Sequence, residues 1–240
     1  MIGLGTIINV GAIIAGGIIG ILFGKHMSQR FHDILMNGAA ICVLFLGIGG
    51  CIAEMLVLTE DGFTTQGTMM MIVCFAIGGL IGELLKIEQR IEHFGEWLKI
   101  KTKSEGDSSF VDAFVTASVT VCIGAMAVVG ALTDGLTGDY SILTAKALLD
   151  FIIIMIMTAS LGKGCAFAAI PVGIFQGVIT LLARFVEPLM TEQALSNLSL
   201  TGSMLIFCVG VNLLWGKKVS VANLLPAIFL AVGWAFLPWS

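Results

Sequence analysis

The stretch SILTAKALLDFIIIMIM, residues 141–157, decides the class of this chain. It is apolar over almost its whole length, yet it carries Lys146 and Asp150. A run of about 20 apolar residues is what a helix needs to cross roughly 30 Å of hydrocarbon. The run extends to Gly162, so the sequence predicts a spanning helix over 141–162. At about 1.5 Å per residue, Asp150 lies roughly 13 Å deep, close to the midplane. Lys146 is one turn above it on the same helical face, so the two side chains can pair. Each ionisable group at such depth costs about 3 kcal/mol or more. One account is a structural ion pair that lowers the insertion cost, with Lys146 snorkelling outward. The other is that Asp150 binds a proton, Na⁺ or a cationic group, with Lys146 as its exchangeable partner. The second is favoured slightly, because aliphatic residues would build the same helix without the cost.

Working outward, seven further stretches qualify as spans: 3–24, 34–57, 67–86, 112–132, 164–183, 199–216 and 221–238. Composition agrees. Of 240 residues 58% are apolar and 12% charged, and mean hydropathy is +1.04; soluble domains carry about 25% charged residues. That excludes an ordinary soluble enzyme and a disordered chain. A net charge of −4 gives no basic face for nucleic acid. Thirty glycines against four prolines suit close-packed membrane helices. The expected fold class is an all-α integral membrane protein of about eight transmembrane helices, forming one polytopic domain over 1–240. The first apolar run has neither the charged start nor the cleavage site of a signal peptide.

Ten of the twelve Lys and Arg residues fall in alternate connections: Lys25, Arg30, Lys86, Arg90, Lys99, Lys101, Lys103, Lys163, Lys217 and Lys218. The opposite connections carry Glu60, Asp61, Asp134, Asp139, Arg184, Glu187 and Glu192. The positive-inside rule puts the basic set in the cytoplasm and both termini outside. Trp215 then marks an inner boundary, and Tyr140, Trp234 and Trp239 mark outer ones. Within the connection 87–111, Ile87, Ile91, Phe94 and Leu98 recur at helical spacing, predicting an amphipathic helix on the cytoplasmic face. A flexible linker is expected at 102–109, and a second surface helix at 186–198, beginning near Pro188.

AGGIIGILFGK (15–25) resembles IGGLIGELLKI (77–87), and the Gly-Lys step returns at 162–163 and 216–217. The simplest account is tandem helical hairpins in parallel orientation. Gly16, Gly20 and Gly24 form a small-residue stripe, as do Gly78 with Gly82, and Ala169 with Gly173 and Gly177. Such stripes let backbones approach closely, within the chain or between copies, so a homo-oligomer is compatible with them.

The remaining polar groups sort by depth. Asn9, Lys146, Asp150 and Gln176 form an outer layer, with Pro171 as a kink beside it. Asn37, Thr116, Ser118, Asn212 and Asn223 lie toward the inner side. Near the span ends, Asp112 is placed to cap a helix, Glu83 to pair with Lys86, and Glu54 to sit at the outer boundary. Two polar layers on several helices are what a gated path needs, although interhelical hydrogen bonds give the same pattern. The candidate substrate- or ion-binding residues are Asp150, Lys146, Asn9 and Gln176, with Thr116, Ser118 and Asn212 toward the inside. The cysteines sit in apolar runs without CxxC, and the histidines lack zinc spacing, so no metal or cofactor is expected. GxxxxGK[ST] and HExxH are absent, and no GxSxG accompanies a histidine at depth; an enzyme is not expected.

GTIINVGAIIAGGIIGILFGK (5–25), FVTASVTVCIGAMAVVGALTDGLTGDYSILTAKALLD (114–150) and GVNLLWGKKVSVANLLPA (210–227) resemble the bacterial membrane family called domain of unknown function 554. The resemblance covers nearly the whole chain. It implies a prokaryotic, multi-pass inner-membrane protein, often described as a transporter, and transfers no functional residue. Function is therefore expected to be transport of a small solute or ion, a proton or Na⁺ among the options, across the cytoplasmic membrane. A non-transporting scaffold or partner subunit and an ion channel stay open at this point.

Overall fold

In hydrocarbon every backbone N–H and C=O must find its partner inside the chain, so apolar runs fold as helices. The computed structural model of this protein describes residues 2–24, 29–59, 62–102, 104, 108–122 and 125–237. Lys25, Glu60, Asp61, Lys103, Trp239 and the middle of the expected 102–109 linker lie outside them. Eleven α-helices are described: α1 (Leu4–Gly24), α2 (Gln29–Met55), α3 (Thr68–Leu85), α4 (Ile87–Lys101), α5 (Phe110–Cys122), α6 (Ala125–Thr137), α7 (Ser141–Leu161), α8 (Ala169–Leu181), the short α9 (Ala183–Val186), α10 (Glu192–Trp215) and α11 (Pro226–Trp234). Five helical segments are long and apolar enough to cross a membrane: Leu4–Gly24, Thr68–Leu85, Ser141–Leu161, Lys163–Leu181 and Glu192–Trp215. Phe110–Cys122 and Met126–Thr137 make a sixth if taken as one span bent by 61°. Ala40–Met55 and Val221–Trp234 are shorter apolar helices. The molecule is an α-helical membrane protein whose outer surface is greasy: Leu80, Leu84, Leu181 and Phe229 are each more than 70% exposed.

Connectivity is that of successive hairpins, but the packing interleaves them. A Cβ on Gly16 would stand 2.5 Å from the Phe151 carbonyl oxygen, and one on Gly20 2.5 Å from that of Met155. The four-residue step is matched on both helices, so α1 and α7 run parallel with backbones in contact. Gly47 and Gly50 of α2 meet Phe207 and Ser203 of α10 in antiparallel sense, and Gly78 and Gly82 of α3 meet Ala227 within α11 and Asn223 just before it. The stripe at 169–177 is different: Gly173 touches Val10, while Gly177 has open space beside it.

The Gly-Lys echo has a structural counterpart. Gly162 ends α7 at φ 103, ψ 179 and Gly216 ends α10 at φ 77, ψ 177. Both conformations exclude a Cβ. Each glycine leads into a 3₁₀ turn, Lys163–Ala168 or Val221–Leu224, and then into α8 or α11. Pro171 sits in the first turn of α8, just after the change from 3₁₀ to α inside the Lys163–Leu181 segment.

Two further expectations change. The surface helix at 186–198 is not separate: a 3₁₀ turn covers Glu187–Leu189, and residues 192–198 are the first two turns of α10. Thr191 caps that helix through the Ala194 N–H, and Asn197 donates to the Ala231 carbonyl at 3.0 Å, so the polar residues are satisfied inside the bundle. Between α2 and α3 the chain forms an antiparallel hairpin, β1 (Leu56–Thr59) with β2 (Gly62–Thr65). Gly62 opens β2 opposite Thr59 at φ 118, a conformation that suits glycine.

The amphipathic helix is α4, but it does not only lie on a surface. Ile91 and Leu98 pack against Phe110 and Phe114 of α5, while Phe94 and Trp97 stack at 5.7 Å and stay partly exposed.

Candidate functional site

Polar contacts between distant helices divide the ends of the molecule into two groups. At one end Asp134, fully buried in α6, accepts the Gly3 and Gly5 N–H groups at 3.1 and 3.0 Å. It caps the first turn of α1, where free donors and the helix dipole favour a carboxylate. At that end Ser196 also donates to Glu54 at 2.7 Å. At the other end Asn223 clamps the α3–α4 corner, donating to Glu83 and accepting the Glu88 N–H, each at 2.7 Å. Glu83 thus meets Asn223 rather than Lys86, which turns the corner in the left-handed region at φ 51.

Between the two ends lies a polar cluster in the apolar interior. Lys146 and Asp150 of α7 are 6% and 4% exposed and form an ion pair. The Lys146 ammonium also donates to the Val121 carbonyl at 2.8 Å. Val121 belongs to the last turn of α5, where helix carbonyls have no intrahelical partner. The direction of the chain changes just beyond it. Broken spans are where membrane proteins expose backbone groups to a ligand or cavity. Lys146 therefore does not snorkel outward; it points across to α5.

Asn9 of α1 interacts with the Asp150 carboxylate, yet neither atom of its amide closes a well-formed hydrogen bond. Gln176 of α8 is likewise fully buried, and both its amide atoms are unpaired. It lies one turn from Gly173, which touches Val10 beside Asn9. Helix α1 packs on both α7 and α8, so the four residues of the outer set stand on three helices that share α1. Thr6 and Thr158, also buried with free hydroxyls, lie on the same two helices α1 and α7 and were missed. A buried amide without a partner costs about 1–3 kcal/mol per group. Gln176 stands unpaired, and Asn9 lies against the ion pair with hydrogen-bonding capacity left over.

The inner set does not form one site. Asn212 is a loop clamp: its amide accepts the Lys218 and Val219 N–H groups and donates to the Val219 carbonyl, all within 2.9 Å. Asn37 is exposed on α2. Ser118 is buried without a partner. Thr116 and Asn212 instead line a vestibule of about 380 Å³ between α4, α5 and α10. Val119, on its α5 wall, packs with Leu205 and Val209, whereas Val121 packs with Ile13 and Ile154. Helix α5 therefore stands between the vestibule and the Lys146–Asp150 cluster. At the vestibule mouth Lys217 bridges Glu88 at 2.6 Å and Glu92 at 2.5 Å. Desolvation by itself lowers the Lys217 pKa, but the two carboxylates outweigh it and hold it above the ordinary 10.5. Among the described residues no His, Cys, Asp and Glu cluster could hold a metal.

Interleaved apolar helices, a broken span and charges paired inside the bundle define a polytopic α-helical membrane protein. The chain belongs to the family described as "protein of unknown function (DUF554)", whose model matches residues 4–236. It is similar to "Uncharacterized membrane protein YdfK" of Bacillus subtilis (strain 168), 31% identical over 226 residues, 94% of this chain and 93% of that one. It is also similar to "Uncharacterized protein YqgA" of Escherichia coli (strain K12), 28% identical over 233 residues, 95% and 94% of the two chains. No solved structure matches it.

Proposed function

We propose that this protein is a transporter of a small solute or ion in the bacterial cytoplasmic membrane, with the Lys146–Asp150 pair as its coupling or binding site. The observation that carries the reading is Gln176, a fully buried amide without a partner on α8, together with Asn9, which lies against Asp150 from α1, the helix on which both α7 and α8 pack. Packing alone does not require them, since aliphatic residues would fill the same volume without the cost of unpaired polar atoms. In the proposed mechanism Asp150 takes a proton, Na⁺ or a cationic group, and Lys146 releases it while staying held by the Val121 carbonyl. The eight spans would be the five long helical segments, the α5–α6 pair and the two shorter apolar helices. The ten basic residues would face the cytoplasm and both termini the outside. No catalytic role is proposed.

The scaffold alternative draws its support from glycine stripes acting as oligomer seams. That support is weakened, because Gly16, Gly20, Gly47, Gly50, Gly78 and Gly82 are occupied by contacts inside one chain.

The test is solute uptake or proton movement in proteoliposomes under imposed pH and Na⁺ gradients. Wild-type protein should show a gradient-driven flux that Asp150→Asn and Lys146→Met both abolish. Full flux in both variants would end this reading.

A further inference from the structure

We propose that the vestibule at the α4 end of the molecule is a binding site for organic cations, taking the ammonium or guanidinium group of a small amine against Glu88, Glu92 and Asp112. The site is distinct from the Lys146–Asp150 cluster, because α5 stands between them, and it does not depend on the transport reading. Four observations carry it.

The cavity, about 380 Å³, lies in the range of sites that enclose small organic ligands. Its walls are mixed: Val115, Val119 and Leu213 offer hydrocarbon, while among the described residues the three carboxylates are set against one lysine, Lys217. Glu88 is 7% exposed, and its Oε2 is buried with no partner, so one carboxylate oxygen stands unused at the cavity wall. Finally, the position a ligand ammonium would take is already filled by a tethered one. The Lys217 ammonium lies within 2.6 Å of oxygens on both Glu88 and Glu92, at the end of a side chain that is 54% exposed. Lys217, half exposed, can release into solvent, leaving two carboxylates one helical turn apart and facing the same opening. An amine with an apolar body matches this mixture; a carboxylate ligand would meet three like charges and one cation.

The experiment uses the full-length protein in detergent, with 1,5-diaminopentane and agmatine as probes and glutarate as the anionic control. Binding is read as a concentration-dependent rise in melting temperature. Wild-type protein should be stabilised by both amines and not by glutarate. Lys217→Ala removes the internal competitor and should tighten amine binding about tenfold, while Glu88→Gln should weaken it about tenfold. Asp112→Asn guards against a folding defect in Glu88→Gln, because Asp112 is exposed and has no ion-pair partner among the described residues. It should also weaken binding while leaving the ligand-free melting temperature in place. The proposal is overturned if glutarate stabilises and the amines do not, or if Lys217→Ala leaves amine binding unchanged. Amine binding without flux in proteoliposomes would uphold this site and remove the transport reading; flux without amine binding would do the reverse.

Discussion

Replacing Lys146 and Asp150 singly and together separates what the pair does for the fold from what it does for the activity. Lys146→Met leaves the Asp150 carboxylate, 4% exposed, with only the Asn9 amide nearby. Breaking a buried ion pair from one side costs about 3–5 kcal/mol. It also strips the Val121 carbonyl of its 2.8 Å donor, an orphaned buried acceptor worth about 1–3 kcal/mol. Asp150→Leu leaves the ammonium held by that carbonyl alone and should cost about 3–5 kcal/mol as well. The double variant removes both charges and leaves just the orphaned carbonyl, so it should lose only about 1–3 kcal/mol. Additive behaviour would instead require roughly 7–13 kcal/mol from the two single costs. The assay is thermal unfolding of the four proteins in one detergent, with proteoliposome flux measured on the same preparations. Recovery of stability in the double variant, with flux still lost, is the expected result. Additive destabilisation would refute the buried-pair geometry. Recovery of both stability and flux would reduce the pair to a structural role.

Other consequences follow from particular contacts. Gly16→Ala forces a methyl to within 2.5 Å of the Phe151 carbonyl oxygen and should destabilise by about 1–3 kcal/mol. Gly177→Ala meets open space and should stabilise by up to about 1 kcal/mol, so opposite shifts in melting temperature are expected. Asp134→Ala removes two charged-acceptor hydrogen bonds from the first turn of α1. It should cost about 3 kcal/mol and speed amide exchange at Gly3 and Gly5. Lys217, with its raised pKa, contributes to the α4 clamp fully below the ordinary value of 10.5 and loses that contribution only as pH rises through the higher folded value. Exchange protection of Ile87–Lys101 should therefore hold at neutral and mildly alkaline pH, and fall in Lys217→Ala across that range.

The spans were legible because hydrocarbon imposes a simple rule: long apolar runs must be helices, and charges inside them must be accounted for. Lys146 and Asp150 announced themselves by depth and by i, i+4 spacing. Asn9 and Gln176 could be placed at a similar level for the same reason. The inner set is divided because depth says nothing about which way a side chain turns: Thr116 and Asn212 reach the vestibule and Ser118 does not. Asn212 and Asn223 are as polar as Asn9, but both are consumed in tying corners of the chain. Nor does hydropathy mark where a helix starts: residues 192–198 look like surface, yet Asn197 finds the Ala231 carbonyl and stays in the bundle.

By itself, then, the sequence determined the membrane class, most of the spanning segments, the amphipathic α4 and the buried pair, all of which depend on local composition and helical period. Tertiary structure decided the rest: that α1 packs on α7 rather than on α2, that the Val121 carbonyl faces Lys146, and that Glu88, Glu92 and Lys217 meet at one cavity mouth. These are contacts between segments far apart in the chain. A small-residue stripe states that some backbone approaches closely, but only the assembled bundle fixes which one.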